Sequence, residues 1–115
     1  MTHSEIMEML GETNLPVAYD HFAEGESPDP PFICFLFPGS DNFSADGAVF
    51  WKIRRVNVEL YTDGKDPPLE HRLETVLDRH GIFYEKSESW IEEERLYQVL
   101  YQFETEEENC AEEKE

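Results

Sequence analysis

The groups in this chain that could do chemistry are four histidines (His3, His21, His71, His80), two cysteines (Cys34, Cys110) and 27 acidic side chains among 115 residues. None of them falls into a pattern that chemistry requires. A helical zinc site wants two histidines at i and i+4 with a glutamate between them. His71 and His80 stand nine positions apart, on opposite sides of a helix of 3.6 residues per turn. His21 follows Asp20, a pairing that would suit a base and its orienter. Adjacent strand residues point to opposite faces, so this pair is expected to fail. The segment 41–47 has the polar composition of a calcium loop, but Phe43 and Ala45 interrupt the oxygen ligands and no glutamate follows at the required offset. Cys34 lies in the apolar run from Phe32 to Phe37, where burial raises a thiol's pKa and removes its reactivity. No glycine motif for a dinucleotide, a P-loop phosphate or a serine nucleophile occurs. Among so many carboxylates, any two can be proposed as an acid–base pair, so their presence selects nothing. The expectation is a protein that is not an enzyme and uses no cofactor or metal.

The elements that position these groups are those of one small domain. Hydrophobic residues make up 39% and aromatics 13% of the chain, enough to form a core. The net charge is −18. Residues 104–115 hold seven Glu and one Lys, which leaves −12 on the rest. A field of this sign repels phosphate, so direct nucleic-acid binding and anionic membranes are both disfavoured. No apolar run reaches membrane-spanning length, and the first residues lack the basic start of a signal peptide. The protein is expected to stay where it is made. A thiol in a core strand and one in an acidic tail make poor disulfide partners, which fits a reducing compartment.

Ile6, Met9 and Leu10 predict a short helix over 4–10, with Ser4 as its cap and Gly11 as its end. Residues 17–22 predict a first strand. Three prolines and a glycine over 24–31 predict a hairpin-like connection. Phe32 to Phe37 is apolar on both faces and predicts a central strand, stopped by Pro38 and Gly39. A polar loop around an exposed Phe43 follows over 39–47. Residues 48–62 predict one long strand whose alternation changes phase: Val49, Trp51 and Ile53 share one parity, and Val56, Val58 and Leu60 the other. Either a bulge near Arg54 and Arg55 corrects the phase or the first half faces a different partner. Asp66 as cap, Pro67 at the first position, the stripe Leu69, Leu73, Val76 and Leu77, and Gly81 after the end predict the main helix over 66–80. Strands over 82–91 and 95–104 close the domain. The class is α+β: a mainly antiparallel sheet of about five strands, packed by the main helix and the short N-terminal one. Residues 1–104 form the domain, and 105–115 an acidic disordered tail.

Phe43, Phe50, Trp51, Tyr61 and Trp90 cannot all enter so small a core, and aromatics are enriched at interfaces. With the basic doublet Arg54 and Arg55, they are the candidate interface residues.

The run from residue 31 to 104 resembles a family. Its most telling pieces are VELYTDGKDPPLEHRLETVL (58–77), GIFYEKSESWI (81–91) and LYQVLYQFE (96–104): a long strand, an Asp-Pro-capped helix, then a closing hairpin. They are similar to small proteins of the packaging and tail-assembly module in prophages of Gram-positive bacteria. The plan resembles siphophage tail-terminator and head–tail joining proteins. The resemblance implies an α+β subunit of a ring, a hexamer, with itself, the tail tube protein and head connector proteins as partners. It would act in the bacterial host cytoplasm during assembly and reside in the virion. Acidic lumen walls would let DNA slide without sticking. The resemblance carries over no functional residue, and the acidic tail is not part of its pattern. Three other expectations stay open: another neck or head-closure component, an acidic interaction module such as a DNA mimic or inhibitor, and a small enzyme with a dispersed site, which would need a deep pocket with converging carboxylates or His21.

Overall fold

The computed structural model of the chain describes residues 1–23, 25–40, 43–45 and 48–106, with backbone only for 43–45 and 48–51. Two helices and seven strands follow in the order α1 (His3–Gly11), β1 (Val17–Tyr19), β2 (Phe32–Ser40), β3 (Phe43–Ala45), β4 (Ala48–Trp51), β5 (Ile53–Thr62), α2 (Pro67–Arg79), β6 (Glu85–Ile91) and β7 (Leu96–Glu106). The fold is α+β. Five strands form one sheet in the order β1-β2-β5-β7-β6, and β3 and β4 form a separate two-stranded ribbon.

Strand parity divides the sheet into two faces. One face carries Ile33 and Phe35 of β2, Val56, Val58 and Leu60 of β5, and Val99, Tyr101 and Phe103 of β7, all buried. Against it pack Leu69, Leu73, Val76 and Leu77 of α2 and Ile6, Met9 and Leu10 of α1. Each such side chain contributes about 1.5–3 kcal/mol by leaving water. The opposite, open face carries Glu59 and Tyr61 of β5 beside Leu100 and Gln98 of β7.

The main helix follows its local signals. The Asp66 side chain accepts a hydrogen bond from the Leu69 amide at 3.2 Å. Gly81 takes φ 70° just beyond the C-cap His80, a conformation that glycine adopts without strain. The short helix begins at His3, one residue earlier than expected. Thr2, not Ser4, is its cap: Thr2 Oγ1 accepts from the Glu5 amide at 3.1 Å and Glu5 accepts from the Thr2 amide at 2.7 Å. This reciprocal capping box satisfies two donors together, which a lone Ser4 cannot do.

Further expectations are corrected. The connection between β1 and β2 is not hairpin-like, because the two strands run parallel, Val17 to Tyr19 beside Ile33 to Phe35. β1 ends at Tyr19 instead of residue 22, because Asp20 turns the chain at φ 67° and the His21 amide bonds back to the Tyr19 carbonyl at 2.7 Å. Pro38 and Gly39 do not stop β2. Its register against β5 shifts between Leu36 and Gly39, and a bulge tolerates a proline that lacks an amide hydrogen. The 48–62 strand is two strands separated at Lys52. β4 pairs with β3, while β5 pairs with β2 and β7, so the phase change marks a change of partner. The expected 39–47 loop accordingly contains β3. β6 starts at Glu85 instead of residue 82. β7 starts at Leu96 and runs two residues past the expected boundary at 104; residues 107–115 and Cys110 lie outside the described residues.

Candidate functional site

The end of the open face near Tyr61 is built from three pieces of chain. β2 supplies Phe32 and Cys34, β5 supplies Glu59 and Tyr61, and the connection between β1 and β2 supplies Asp20, His21, Phe22 and Ser27. The Phe22 ring meets Phe32 edge-on at 5.4 Å, and Phe32 stacks on Tyr61 at 5.2 Å. Asp20, Phe22, Phe32, Cys34, Tyr61 and Glu94 help to line a cavity of about 240 Å³ there. The Tyr61 hydroxyl donates to Glu59 at 3.0 Å and accepts from the Gln98 amide nitrogen at 2.9 Å.

The electrostatics of this corner oppose nucleophilic chemistry. Burial pushes the Cys34 thiol up to about 11, and the charges of Glu59 and Asp20 add to the shift. Burial likewise pushes the Tyr61 phenol up to about 12. Both groups are neutral at pH 7, and a thiol held in that form is inert. Burial raises the Glu59 carboxyl too, against the lowering effect of its bond to Tyr61.

His21 and Asp20, expected to point apart, come together: His21 Nδ1 lies 3.1 Å from Asp20 Oδ2. The alternation rule fails here because β1 has already ended. Both side chains are well exposed. The other histidines have structural surroundings. His3 packs on the rings of Tyr19 at 4.9 Å and Phe35 at 5.2 Å. His80 Nε2 lies 2.9 Å from Glu12, joining the ends of the two helices. His71 is exposed on α2. Among the described residues no three His, Cys, Asp or Glu side chains gather closely enough to hold a metal ion. No described helix is long and apolar enough to cross a membrane.

Of the candidate interface residues, the described side chains of Arg54, Arg55, Tyr61 and Trp90 do not form one patch. The side chains of Phe43, Phe50 and Trp51 lie outside the description. Tyr61 is half-buried and bonded within its own sheet. Arg54 sits at the opposite end of β5, its guanidinium 4.2 Å from the centre of the Phe37 ring. Arg55 lies so close over Gly39 that a Cβ there would come within 2.5 Å of its Nη2. Trp90 is 44% exposed on the edge strand β6 and meets the Tyr97 ring at 4.8 Å.

Beside Arg55 runs a second concavity, about 580 Å³, at the end of the sheet where β6 has not yet joined β7. Its wall includes Phe83, which is 90% exposed. Sequence reasoning left Phe83 out by placing it inside a strand. The alternation Ile82, Phe83, Tyr84 held the signal, since packing Ile82 and Tyr84 on the core turns Phe83 outward.

No family model matches the chain, and no curated protein matches it.

Proposed function

We propose that this chain is a phage or prophage virion assembly protein, a tail-terminator-like subunit that acts at the head–tail junction by joining copies of itself into a ring. The observation that supports this reading is that the most telling pieces of the resembling run 31–104, which lie within 58–104, fall on β5, α2, β6 and β7, three strands of the main sheet and its main helix. The ribbon β3–β4 adds an element outside that sheet, suited to contacts with a neighbour or with the tube. The subunit works without catalysis or cofactor, in the host cytoplasm during assembly and then in the virion. Its partners are further copies, hexameric in the family pattern, the tail tube protein and the head connector proteins. With a net charge of −18, a ring of such subunits repels the DNA that passes through it.

The test is to mix the purified protein with the tail tube protein encoded beside it and to image the product by electron microscopy. Tubes of fixed length capped by rings are the expected result. Uncapped tubes beside a lone monomer would remove the terminator assignment. The same net charge favours a second function, an acidic module that captures a basic protein. Its signature is a stable monomer that binds such a partner tightly and loses it as salt rises. Another neck component would instead bind the head connector and ignore the tube.

A further inference from the structure

The five-stranded sheet has two edges of different kinds. β1 is three residues long and ends at the Asp20 turn. β6 is seven residues long and largely exposed, and β7 is its only strand neighbour among the described residues. Its register against β7 runs without a shift from Glu85 beside Gln102 to Ile91 beside Leu96. An open edge of this kind is a template for another strand, and proteins blunt such edges with a proline, a bulge or a lysine held over the edge. β6 has no proline and no bulge. Its one lysine, Lys86, is drawn down onto α2, 2.9 Å from Glu70 and 2.7 Å from Glu74. Two of the three large hydrophobics exposed among the described residues, Phe83 and Trp90, stand at the two ends of this edge.

The residues of the edge select the strand that fits it. Lys86, Glu88 and Trp90 share the face turned to α2, where they meet Glu70, Lys65 and Tyr97. Glu85, Ser87, Ser89 and Ile91 share the open face by alternation. Two copies related by a two-fold axis through the sheet keep like faces together, so the axis passes through a single residue. An axis at Lys86 or at Glu88 sets a charge against its own copy, which destabilises a cross-strand pair. An axis at Ser89 sets the Trp90 ring against a carboxylate. An axis at Ser87 sets Lys86 beside Glu88 of the partner subunit twice over and meets no like charge. Both groups have capacity left for that contact. An ammonium carries three donors, of which Lys86 gives two to Glu70 and Glu74, and Glu88 is exposed with Lys65 on only one of its oxygens. Continued past the start of β6, the same register lays Phe83 and Tyr84 against Ile91 and Trp90 of the partner subunit. Apolar ends around a polar middle are thus complementary to their own reverse.

We propose that β6 is a docking edge for the β6 of a second copy of this chain, antiparallel and centred on Ser87, which joins the two sheets into one. The contact is isologous and closes at two copies, so it goes beyond the ring-forming function and does not rest on it. Backbone hydrogen bonds and apolar ends carry the contact, and the net charge of −18 on each copy opposes it. Added salt screens that repulsion and strengthens the pair, where it would weaken one held by surface charge.

The test uses the full chain carrying Cys110→Ser, so that the tail thiol forms no cross-link, and adds Ser87→Cys or Ser89→Cys to it. Cys34 is buried and does not interfere. Directly opposite Cα atoms of an antiparallel pair lie about 4.5–5.5 Å apart, within the reach of a disulfide. Two copies of residue 89 would stand four positions apart, roughly 13 Å. Under mild oxidation Ser87→Cys should therefore form a covalent dimer about tenfold faster than Ser89→Cys, or better. Sedimentation velocity of the wild type should show monomer and dimer in equilibrium, shifting to dimer as salt rises. Phe83→Ser changes a side chain too exposed to support the fold, so it should weaken dimerisation about tenfold and leave the thermal melt unchanged. Hydrogen exchange reads the contact without any substitution: the outward amides of β6 should gain protection as protein concentration rises, and those of β1 should not. A wild type that stays monomeric at high concentration and salt, cysteine forms that cross-link at equal rates, a Phe83→Ser form that dimerises like wild type, or a dimer that leaves exchange in β6 unchanged would each overturn the edge contact.

Discussion

At the scale of single residues, two carboxylates on the sheet and helix have opposite balances. Burial alone would raise the Glu70 carboxyl, but hydrogen bonds from Lys65 at 2.7 Å and Lys86 at 2.9 Å outweigh it and hold the pKa below its usual 4.5. A depressed folded pKa stabilises the fold above the ordinary carboxylate range, and that stability is lost as pH falls through the folded value. Lys86 also reaches Glu74 at 2.7 Å, so Lys86→Met should cost about 1–3 kcal/mol at neutral pH, the lysine's partial exposure keeping it at the low end for a broken pair. Chemical denaturation at descending pH should show the gap from wild type closing in acid. Glu59 behaves the other way. Its raised pKa means the folded state resists its ionisation, a penalty present above the folded pKa and relieved by protonation. Glu59→Gln retains an acceptor for Tyr61, so it should raise the neutral-pH melting temperature, with the gain vanishing in acid. Neither balance was legible in the sequence. Lys65, Glu70 and Lys86 belong to a loop, a helix and a strand, and only the docking of α2 on the sheet brings them together.

At the scale of elements, legibility follows the range of the forces. α2 was readable because its cap, proline, apolar stripe and terminal glycine all act within a turn or two. Asp66→Ala and Thr2→Ala should each cost about 1 kcal/mol, measured by thermal melts. The second change removes the hydroxyl acceptor and keeps the residue-2 amide, whose bond to Glu5 holds that carboxyl below the usual range. The direction of β1 was unreadable because the connection from Tyr19 to Phe32 is long enough to return the chain in either sense. The division of β4 from β5 was half readable: the parity change announced two partners, but the alternative of a bulge could not be separated from it. Tyr61 and Arg54, both singled out from the sequence, proved to point to opposite faces of the same strand. Aromatic content identifies surface-seeking residues; it does not say that they share a surface.

At the scale of the whole molecule, the first residue of the chain meets the end of its last strand. The N-terminal ammonium donates to Thr105 Oγ1 at 2.7 Å and to the Glu106 carbonyl at 3.0 Å. A chain cut after Glu104 loses both acceptors and the last two rungs of the β5–β7 ladder. It should melt lower, by an amount equivalent to about 1–3 kcal/mol. A chain cut after Glu106 keeps them and should melt like the full protein. The pair of truncations tests whether the domain ends at Glu104, where composition put it, or at Glu106.

The place of β5 has a mechanical consequence. The strand is the middle one of five, and the ribbon continues directly from its first residue through Lys52. A pull on the ribbon along that axis loads the ladders to β2 and β7 together and in shear, so their hydrogen bonds resist as a group and do not peel one by one. An element at the edge of the sheet would tear away under far less tension. The ribbon is thus tethered to a strand that is hydrogen-bonded on both sides, and tension on it is shared between two ladders.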